Sequence, residues 1–221
     1  MLRWPAGVLL LVLLGTVLAA PVPNRLPPVD EAWRDPTLVV FRQQLQEVVR
    51  ARDDAALMRL LYSRIENGLE AEHGVRAFRR RWQLDDGGEA LWPVLERLLS
   101  LGGGFVRSSR GVQFCAPYAF VGFPPQLDAR AHGVAVGEAV ELRRAPRGDA
   151  ALLRRLSHHL LRVDDWGGVR DAGGQLWLEV RTLDGSHGYV RREQVLAPGD
   201  YHACFLAMSP GWRVISLLRT H

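Results

Sequence analysis

The sequence predicts an α+β fold, and three features of its 221 residues carry this prediction. Apolar side chains recur at helical spacing over residues 37–101. Residues 105–123 and the segments after them are instead rich in valine, phenylalanine and tyrosine, which is typical of strands. The run Gly102-Gly103-Gly104 lies between the two regions and ends the last predicted helix. Helices followed by strands are typical of an α+β domain or of two abutting domains.

The start of the chain has the pattern of a secretory signal peptide over residues 1–19. Arg3 is the positive residue, residues 8–14 are apolar, and small residues precede a cleavage point after Ala19. An uncleaved membrane anchor is the alternative, but the apolar run is shorter than the about 20 residues that span a bilayer. Residues 20–36 contain five prolines and predict an extended tether. We therefore expect a periplasmic or secreted mature protein without a membrane span.

Residues 37–104 are predicted to form a helical domain of four helices. The first runs from about residue 37 to residue 51, the third from about 75 to 82, and the fourth lies around residues 91–101 with Pro93 in its first turn. The second helix is predicted to begin at Asp53 or Asp54. Its apolar stripe consists of Leu57, Leu60, Leu61 and Ile65.

The second half divides into three predicted segments. Residues 105–133 form a connecting β segment, residues 134–197 form a compact β domain, and residues 198–221 form a C-terminal hairpin that extends it. The β domain contains VELRRAP at 140–146, WLEV at 177–180, DG at 184–185 and GYV at 188–190. In this order these motifs resemble a bacterial SH3-like domain. The whole chain is also similar to exported bacterial proteins, of unknown activity, that pair a helical unit with such a domain.

The resemblance implies a small β-barrel that binds, often to cell-wall material, while other domains carry out chemistry. On that basis the expected function is a non-catalytic binding module of the bacterial cell envelope, with peptidoglycan or an envelope protein as its partner. A protein-interaction or inhibitor module that acts through the helical unit is the alternative. An enzyme is the third hypothesis, and no cofactor is expected.

The expected contact residues are Trp177, Arg181 and Tyr189. Trp177 and Arg181 share one face of a strand whose other face carries Val180, the expected core residue. A two-residue turn at Asp184-Gly185 pairs Tyr189 with Val180 and makes it a core residue. A three-residue loop instead places Tyr189 beside Trp177 and Arg181, and the aromatic rings then form a surface platform. Both registers remain open, as does packing of both rings in the core, and an apolar groove between helices and barrel is a further possible site.

Cys115 and Cys204 are the only cysteines, and an even count in an exported chain favours a disulfide. Two buried free thiols are the alternative, because a free cysteine packs as a small apolar residue. Cys115 lies in an apolar, strand-like segment without a charge that would lower its pKa, which argues against a catalytic thiol.

Charge composition gives little support to nucleic-acid binding. The formal net charge is +4 and all 28 basic residues are arginines, but they alternate with acids along the whole chain. The only basic run is Arg79-Arg80-Arg81, which is interpreted as a solvated helix face.

Few residues have the spacing of a catalytic or metal site. Glu66, Glu70 and His73 are spaced to share a helix face, but a di-metal centre needs further carboxylates and a second Glu-x-x-His motif. His158 and His159 are adjacent and point to opposite faces of a strand. Ser157 beside them lacks the nucleophile-elbow motif of serine hydrolases. We therefore predict neither a metal site nor a catalytic site.

Overall fold

A computed structural model describes residues 22–68 and 72–220 of the chain. The predicted signal peptide and Glu70 lie outside the described residues. Within those ranges, no helix combines the length and hydrophobicity that crossing a membrane requires. The fold is α+β, as predicted, with five α-helices and two sheets among the described residues.

Helix α1, Pro36–Ala51, confirms the first helical prediction. The Asp35 carboxylate caps it by accepting a hydrogen bond from the Thr37 amide at 2.8 Å, and the proline occupies its first turn. The helix ends where Arg52 adopts a left-handed conformation. Its buried side is the predicted apolar stripe, which includes Leu38 and Leu45. The remaining helices are α2 (Asp54–Leu60), α3 (Val75–Arg81), α4 (Leu91–Ser100) and α5 (Tyr118–Gly122).

The second predicted helix is wrong in its C-terminal half. Helix α2 stops at Leu60, and strand β1, Leu61–Glu66, follows at once. Leu61 and Ile65 are both buried in the same core as the helices. Their spacing of four residues matches a helix face, but it is also even and therefore places both side chains on one face of a strand. Periodicity alone could not separate these two interpretations.

Five strands form the first sheet, in the order β1-β13-β12-β3-β2. Its further strands are β2 (Gly104–Ser108), β3 (Gly111–Ala116), β12 (His202–Met208) and β13 (Gly211–Leu218). β1 pairs in parallel with β13, and the other pairs are antiparallel. One face of this sheet packs on the helices in a shared core with Phe41, Phe114 and Phe205. The predicted helical unit is thus built on strands that come from residues 61–116 and from residues 202–218.

The second sheet has the order β11-β4-β7-β9-β10-β5-β6, and β8 pairs with β9 at its start. Its strands are β4 (His132–Ala135), β5 (Val140–Arg143), β6 (Leu152–Leu156), β7 (Leu160–Val163), β8 (Val169–Arg170), β9 (Leu176–Thr182), β10 (His187–Arg191) and β11 (Val195–Leu196). They enclose a separate apolar core that contains Leu142, Val180 and Val190. The hydrogen-bonded order has two ends, at β11 and β6, so closure of a barrel is not part of the observed topology.

The second sheet is inserted into the first between two neighbouring strands. The chain leaves after β3 and returns at β12, and these strands pair with each other through Cys115 and Cys204. The first and last strands of the insertion, β4 and β11, also pair, so the entering and leaving chains lie side by side. The predicted C-terminal hairpin is present as β12 and β13, but it completes the first sheet. The expectation that it extends the barrel is therefore wrong.

Residues 24–31 form a strap that joins the two sheets. At its first end, the Leu160 amide donates to the Asn24 carbonyl at 3.0 Å, and the Leu26 amide donates to the His158 carbonyl at 2.8 Å. These bonds attach the strap to the second sheet.

The other end of the strap is attached to the first sheet. The Glu31 amide donates to the Gly103 carbonyl at 2.9 Å, and the Phe105 amide donates to the Glu31 carboxylate at 2.9 Å. Asp30 accepts hydrogen bonds from the buried guanidinium of Arg42 at 2.7 and 2.8 Å. Residues 22–31 of the proline-rich segment contain no helix, but Ala32–Arg34 form a short 3₁₀ helix and the segment is bonded to both sheets, so it is not a free tether.

Candidate binding surface

The solvent-facing side of the second sheet, here called the outer face, is the main candidate surface. Alternation along its strands places Leu142, Val180 and Val190 in the core and the intervening side chains outward. The outer face carries Glu141, Arg143, Arg155, Arg162, Glu179, Arg181, His187 and Tyr189.

The loop between β9 and β10 decides where Tyr189 lies. The Thr182 amide donates to the Ser186 carbonyl at 2.9 Å, which closes a three-residue loop with Gly185 in the left-handed region at φ 95°. Tyr189 is therefore opposite Glu179, not Val180. The second of the two predicted registers is correct, and Tyr189 shares the face of Arg181.

Tyr189 lies near the middle of the outer face. It is half-buried, with Glu179 opposite on β9 and Arg143 opposite on β5. Partial burial raises the pKa of Tyr189, and the neighbouring Glu179 carboxylate raises it further. The phenol is thus a neutral hydrogen-bond donor at physiological pH, with part of its ring accessible.

Arg143 lies directly opposite this tyrosine, and Arg181 and Arg162 follow on the next two strands of the same face, β9 and β7. Arg162 pairs with Asp164 at 2.7 Å, and Arg143 forms an ion pair with Glu141. The exposed Arg181 has no carboxylate within 4.0 Å among the described residues. Its cross-strand neighbour is Arg162, another positive side chain. The Glu179 carboxylate lies opposite Tyr189 and also contacts His187, whose Nε2 is 2.7 Å away. The face therefore offers unpaired guanidinium donors next to an aromatic ring.

Trp177 is on the predicted face of β9 but is not exposed. Its relative exposure is 1%, which makes it one of the largest fully buried side chains. The indole N–H donates to the Asp171 carboxylate at 2.9 Å, and the Arg191 guanidinium carbon lies 5.7 Å from the ring centroid. Gly168 allows the turn before β8 to approach closely, because a Cβ there would lie 2.2 Å from the Trp177 carbonyl oxygen. The prediction that Trp177 is a surface contact is therefore wrong.

The predicted disulfide is present. Cys115 on β3 and Cys204 on β12 are bonded, and the bond lies where the inserted sheet leaves and rejoins the first one. No other cysteine exists in the sequence. A disulfide of this kind is typical of proteins from oxidising compartments.

Of the residues considered for metal binding, the structure describes Glu66 and His73. Glu66 pairs with Arg110, and both line a cleft of about 590 Å³ together with His73. Among residues 22–68 and 72–220, no group of three or more histidine, cysteine, aspartate or glutamate side chains could hold a metal ion. Glu70 lies outside the described part of the chain.

Ser157 and the adjacent histidines have structural contacts. The Ser157 hydroxyl donates to the Glu138 carbonyl. His159 is buried, with the Arg154 guanidinium 3.2 Å from its Nε2. His158 has a positive φ of 54° in the turn that receives the strap. The two histidines therefore lie where the strap joins the second sheet, whereas Ser157 bonds to the segment before β5.

The helices expose no continuous apolar stripe within the described residues. The stripe of α1 is buried against the first sheet. The exposed large apolar side chains near it are Trp33 and Val40, at 76% and 64% exposure. Two such residues are ordinary for a protein surface.

Sequence reasoning missed Arg143, Arg155 and Arg162 as members of the outer face. Their alternation with core residues along β5, β6 and β7 was a usable signal. Which strands lie next to each other was not readable from alternation, and it is this order that brings the arginines to Tyr189.

Comparison with known proteins does not assign the chain to a family. No protein-family model matches the chain, and neither the curated proteins nor the solved structures include a significant match to it. What the chain binds is therefore inferred from its own side chains.

Proposed function

We propose that this protein is a non-catalytic binding module of the bacterial cell envelope that recognises peptidoglycan through its outer face. The observation that carries the proposal is the position of Tyr189 and the exposed Arg181 on one face, with Arg143 and Arg162 beside them. This arrangement combines an aromatic ring with the exposed guanidinium of Arg181, whereas Arg143 already donates to Glu141 and to the Ala150 carbonyl and Arg162 to Asp164.

The chemistry of such a face suits an acidic glycopeptide polymer. An aromatic ring packs against the apolar side of a sugar and keeps its hydroxyl available for hydrogen bonds. Guanidinium groups bind carboxylates with two parallel hydrogen bonds, and peptidoglycan carries free carboxylates on its peptide stems. The cross-strand arginines Arg162 and Arg181 are close enough to contact neighbouring carboxylates of one polymer.

Two further features support this proposal. Residues 134–197 resemble bacterial SH3-like domains, which often bind cell-wall material. The signal-peptide pattern of residues 1–19 and the Cys115–Cys204 disulfide agree with a periplasmic or secreted location.

The test is co-sedimentation of residues 20–221 with purified insoluble peptidoglycan at physiological salt. We expect saturable binding that Arg181→Glu weakens at least about tenfold, because a charge-assisted hydrogen bond is replaced by repulsion. Tyr189→Ala is expected to weaken binding as well, with folding checked by circular dichroism.

The matched control is Arg50→Glu, which makes the same charge change at an exposed position of α1, on the first sheet's side of the molecule. It should bind as the wild type does. Equal losses in Arg50→Glu and Arg181→Glu would indicate attraction by net charge alone and contradict a specific outer face. Absence of binding by the folded wild type would reject peptidoglycan and favour an envelope protein as the partner.

A further inference from the structure

A second pocket lies between helix α4 and the β11 end of the second sheet, away from the outer face. Its volume is about 240 Å³. One wall is the α4 surface around Leu98, and the opposite wall contains Leu196 of β11 and the ring of Tyr201. This is the location of the groove predicted between helices and barrel. The pocket is smaller than the about 300–1,000 Å³ typical of sites for drug-sized ligands, so it suits a small molecule.

Three arginines and one aspartate line this pocket: Arg97, Arg192, Arg219 and Asp200. Asp200 is already engaged, because its carboxylate accepts from Arg192 at 3.1 and 3.2 Å and from the Ala197 amide at 2.9 Å. Two guanidinium groups therefore face the same pocket without a carboxylate of their own among its lining residues.

Arg97 is held in place but retains unused donors. One of its nitrogens donates to the Glu193 carbonyl at 2.8 Å, and a guanidinium has five N–H groups. Burial lowers the pKa of Arg97, and the neighbouring charge of Arg192 lowers it further, while Asp200 and Glu193 oppose this. A positive group is thus partly desolvated beside another positive group, a situation that an anion would relieve.

Arg219 closes the other side of the pocket. Its guanidinium carbon lies 5.8 Å from the centroid of the Tyr201 ring. The following residue, Thr220, donates from its amide to the Gly199 carbonyl at 3.0 Å, which fixes this end of the chain against the turn before β12. Arg219 is an exposed residue, and its guanidinium lies at the rim of the pocket over the Tyr201 ring.

We propose that this pocket binds a small carboxylate with a short apolar body. The guanidinium groups of Arg97 and Arg219 hold the carboxylate, and the leucine walls cover the hydrocarbon part. Charge complementarity selects the anion, because three arginines and a single aspartate line the pocket and that aspartate is already bonded to Arg192. The site is separate from the outer face and does not depend on peptidoglycan binding.

The experiment is isothermal titration of residues 20–221 with sodium hexanoate at low ionic strength. Three comparison probes separate the contributions: acetate lacks the apolar body, 1-hexanol lacks the charge, and inorganic phosphate is a different oxyanion. We expect saturable binding of hexanoate that is tighter than that of all three probes. Arg97→Gln and Arg219→Gln should each weaken it roughly tenfold, the effect of losing one charge-assisted hydrogen bond.

Arg50→Gln is the control for charge removal far from the pocket and should leave hexanoate binding unchanged. Arg97→Gln also removes the hydrogen bond to the Glu193 carbonyl and could disturb folding. Arg219→Gln leaves that bond intact, so it tests the pocket without this complication. Equal binding of 1-hexanol, tighter binding of phosphate, or unchanged affinity in both pocket variants would overturn the proposal. Failure here, with peptidoglycan binding intact, would leave the proposed function unaffected.

Discussion

Trp177 illustrates how a residue can be on the predicted face and still have the wrong role. Strand alternation correctly placed it outward from the core of Val180 and Leu178. The indole is nevertheless buried, because Asp171 in the loop after β8 accepts its N–H and the Arg191 guanidinium lies over the ring. The bond to Trp177 is the main reason that the pKa of Asp171 is lowered. Trp177 is therefore a structural residue, and its loss would confound a binding assay.

This role predicts a large loss of stability for Trp177→Ala. Truncation of a buried tryptophan removes its packing and leaves a cavity, so we expect the free energy of unfolding to fall by about 3–5 kcal/mol. Urea unfolding followed by circular dichroism measures it. Trp33→Ala is the matched control, because Trp33 is 76% exposed and its truncation should change stability by less than about 0.5 kcal/mol. A Trp177 variant as stable as this control would show that burial of the ring contributes no stability.

At the scale of an element, the strap lies against a buried histidine of the second sheet. The backbone of Arg25 pairs with that of His159 as an isolated antiparallel β-bridge, and the His159 side chain is buried. Burial lowers the pKa of His159 from its ordinary value of 6.5, and the charges of Arg25 and Arg154 lower it further. Arg154 also bonds Asp184, whose pKa is lowered to about 2 by its hydrogen bonds to Thr182 and Arg154. Asp184 therefore stays ionised throughout the range in which His159 titrates.

We predict that the protein loses stability as the pH falls from about 7 to 5. Below about pH 6.5 His159 is protonated in the unfolded chain but stays neutral in the folded one, because its pKa is lowered there. The free energy of unfolding therefore rises with pH in this window. The contribution is complete above about pH 6.5 and decreases below it. Urea unfolding at several pH values should show this slope, and His159→Gln should reduce it. Some slope should remain, since burial also lowers the pKa of His202. A stability that does not fall between pH 7 and 5 would contradict the prediction.

At the scale of the whole molecule, the disulfide lies at the base of the insertion. Cys115 precedes the inserted sheet and Cys204 follows it, with a sequence separation of 89 residues. The bond therefore closes the loop that contains the whole second sheet. Backbone pairing of β3 with β12 holds the same two residues together in the folded state, so the bond acts mainly on the unfolded chain.

Removing this bond should destabilise the protein without changing its fold. The chain-entropy relation gives about 4–5 kcal/mol for a loop of this length, as an upper value. The double variant Cys115→Ser and Cys204→Ser, compared with the oxidised wild type in urea, measures the loss. Circular dichroism should retain the spectrum of the folded wild type below the transition. An unchanged unfolding midpoint in the oxidised and reduced wild type would contradict the prediction.

The sequence predicted local features well because they depend on neighbouring residues. The α1 stripe, the glycine stop after α4 and the strand alternation that places Arg181 outward all follow from side-chain periodicity and backbone preference. The class of fold followed from the order of these patterns. The cysteine count favoured the disulfide, and the structure contains it.

Only the tertiary structure decided which distant segments meet. Nothing local distinguishes β1 from the end of a helix, because Leu61 and Ile65 satisfy both periods. Nothing local places the C-terminal hairpin in the first sheet, because its pairing partners, β3 for β12 and β1 for β13, are far away in the sequence. The burial of Trp177 and the arginine pocket likewise depend on long-range packing. Periodicity describes one segment at a time. Strand order, and the burial of side chains such as Trp177, instead depend on pairing and packing between segments far apart in the chain.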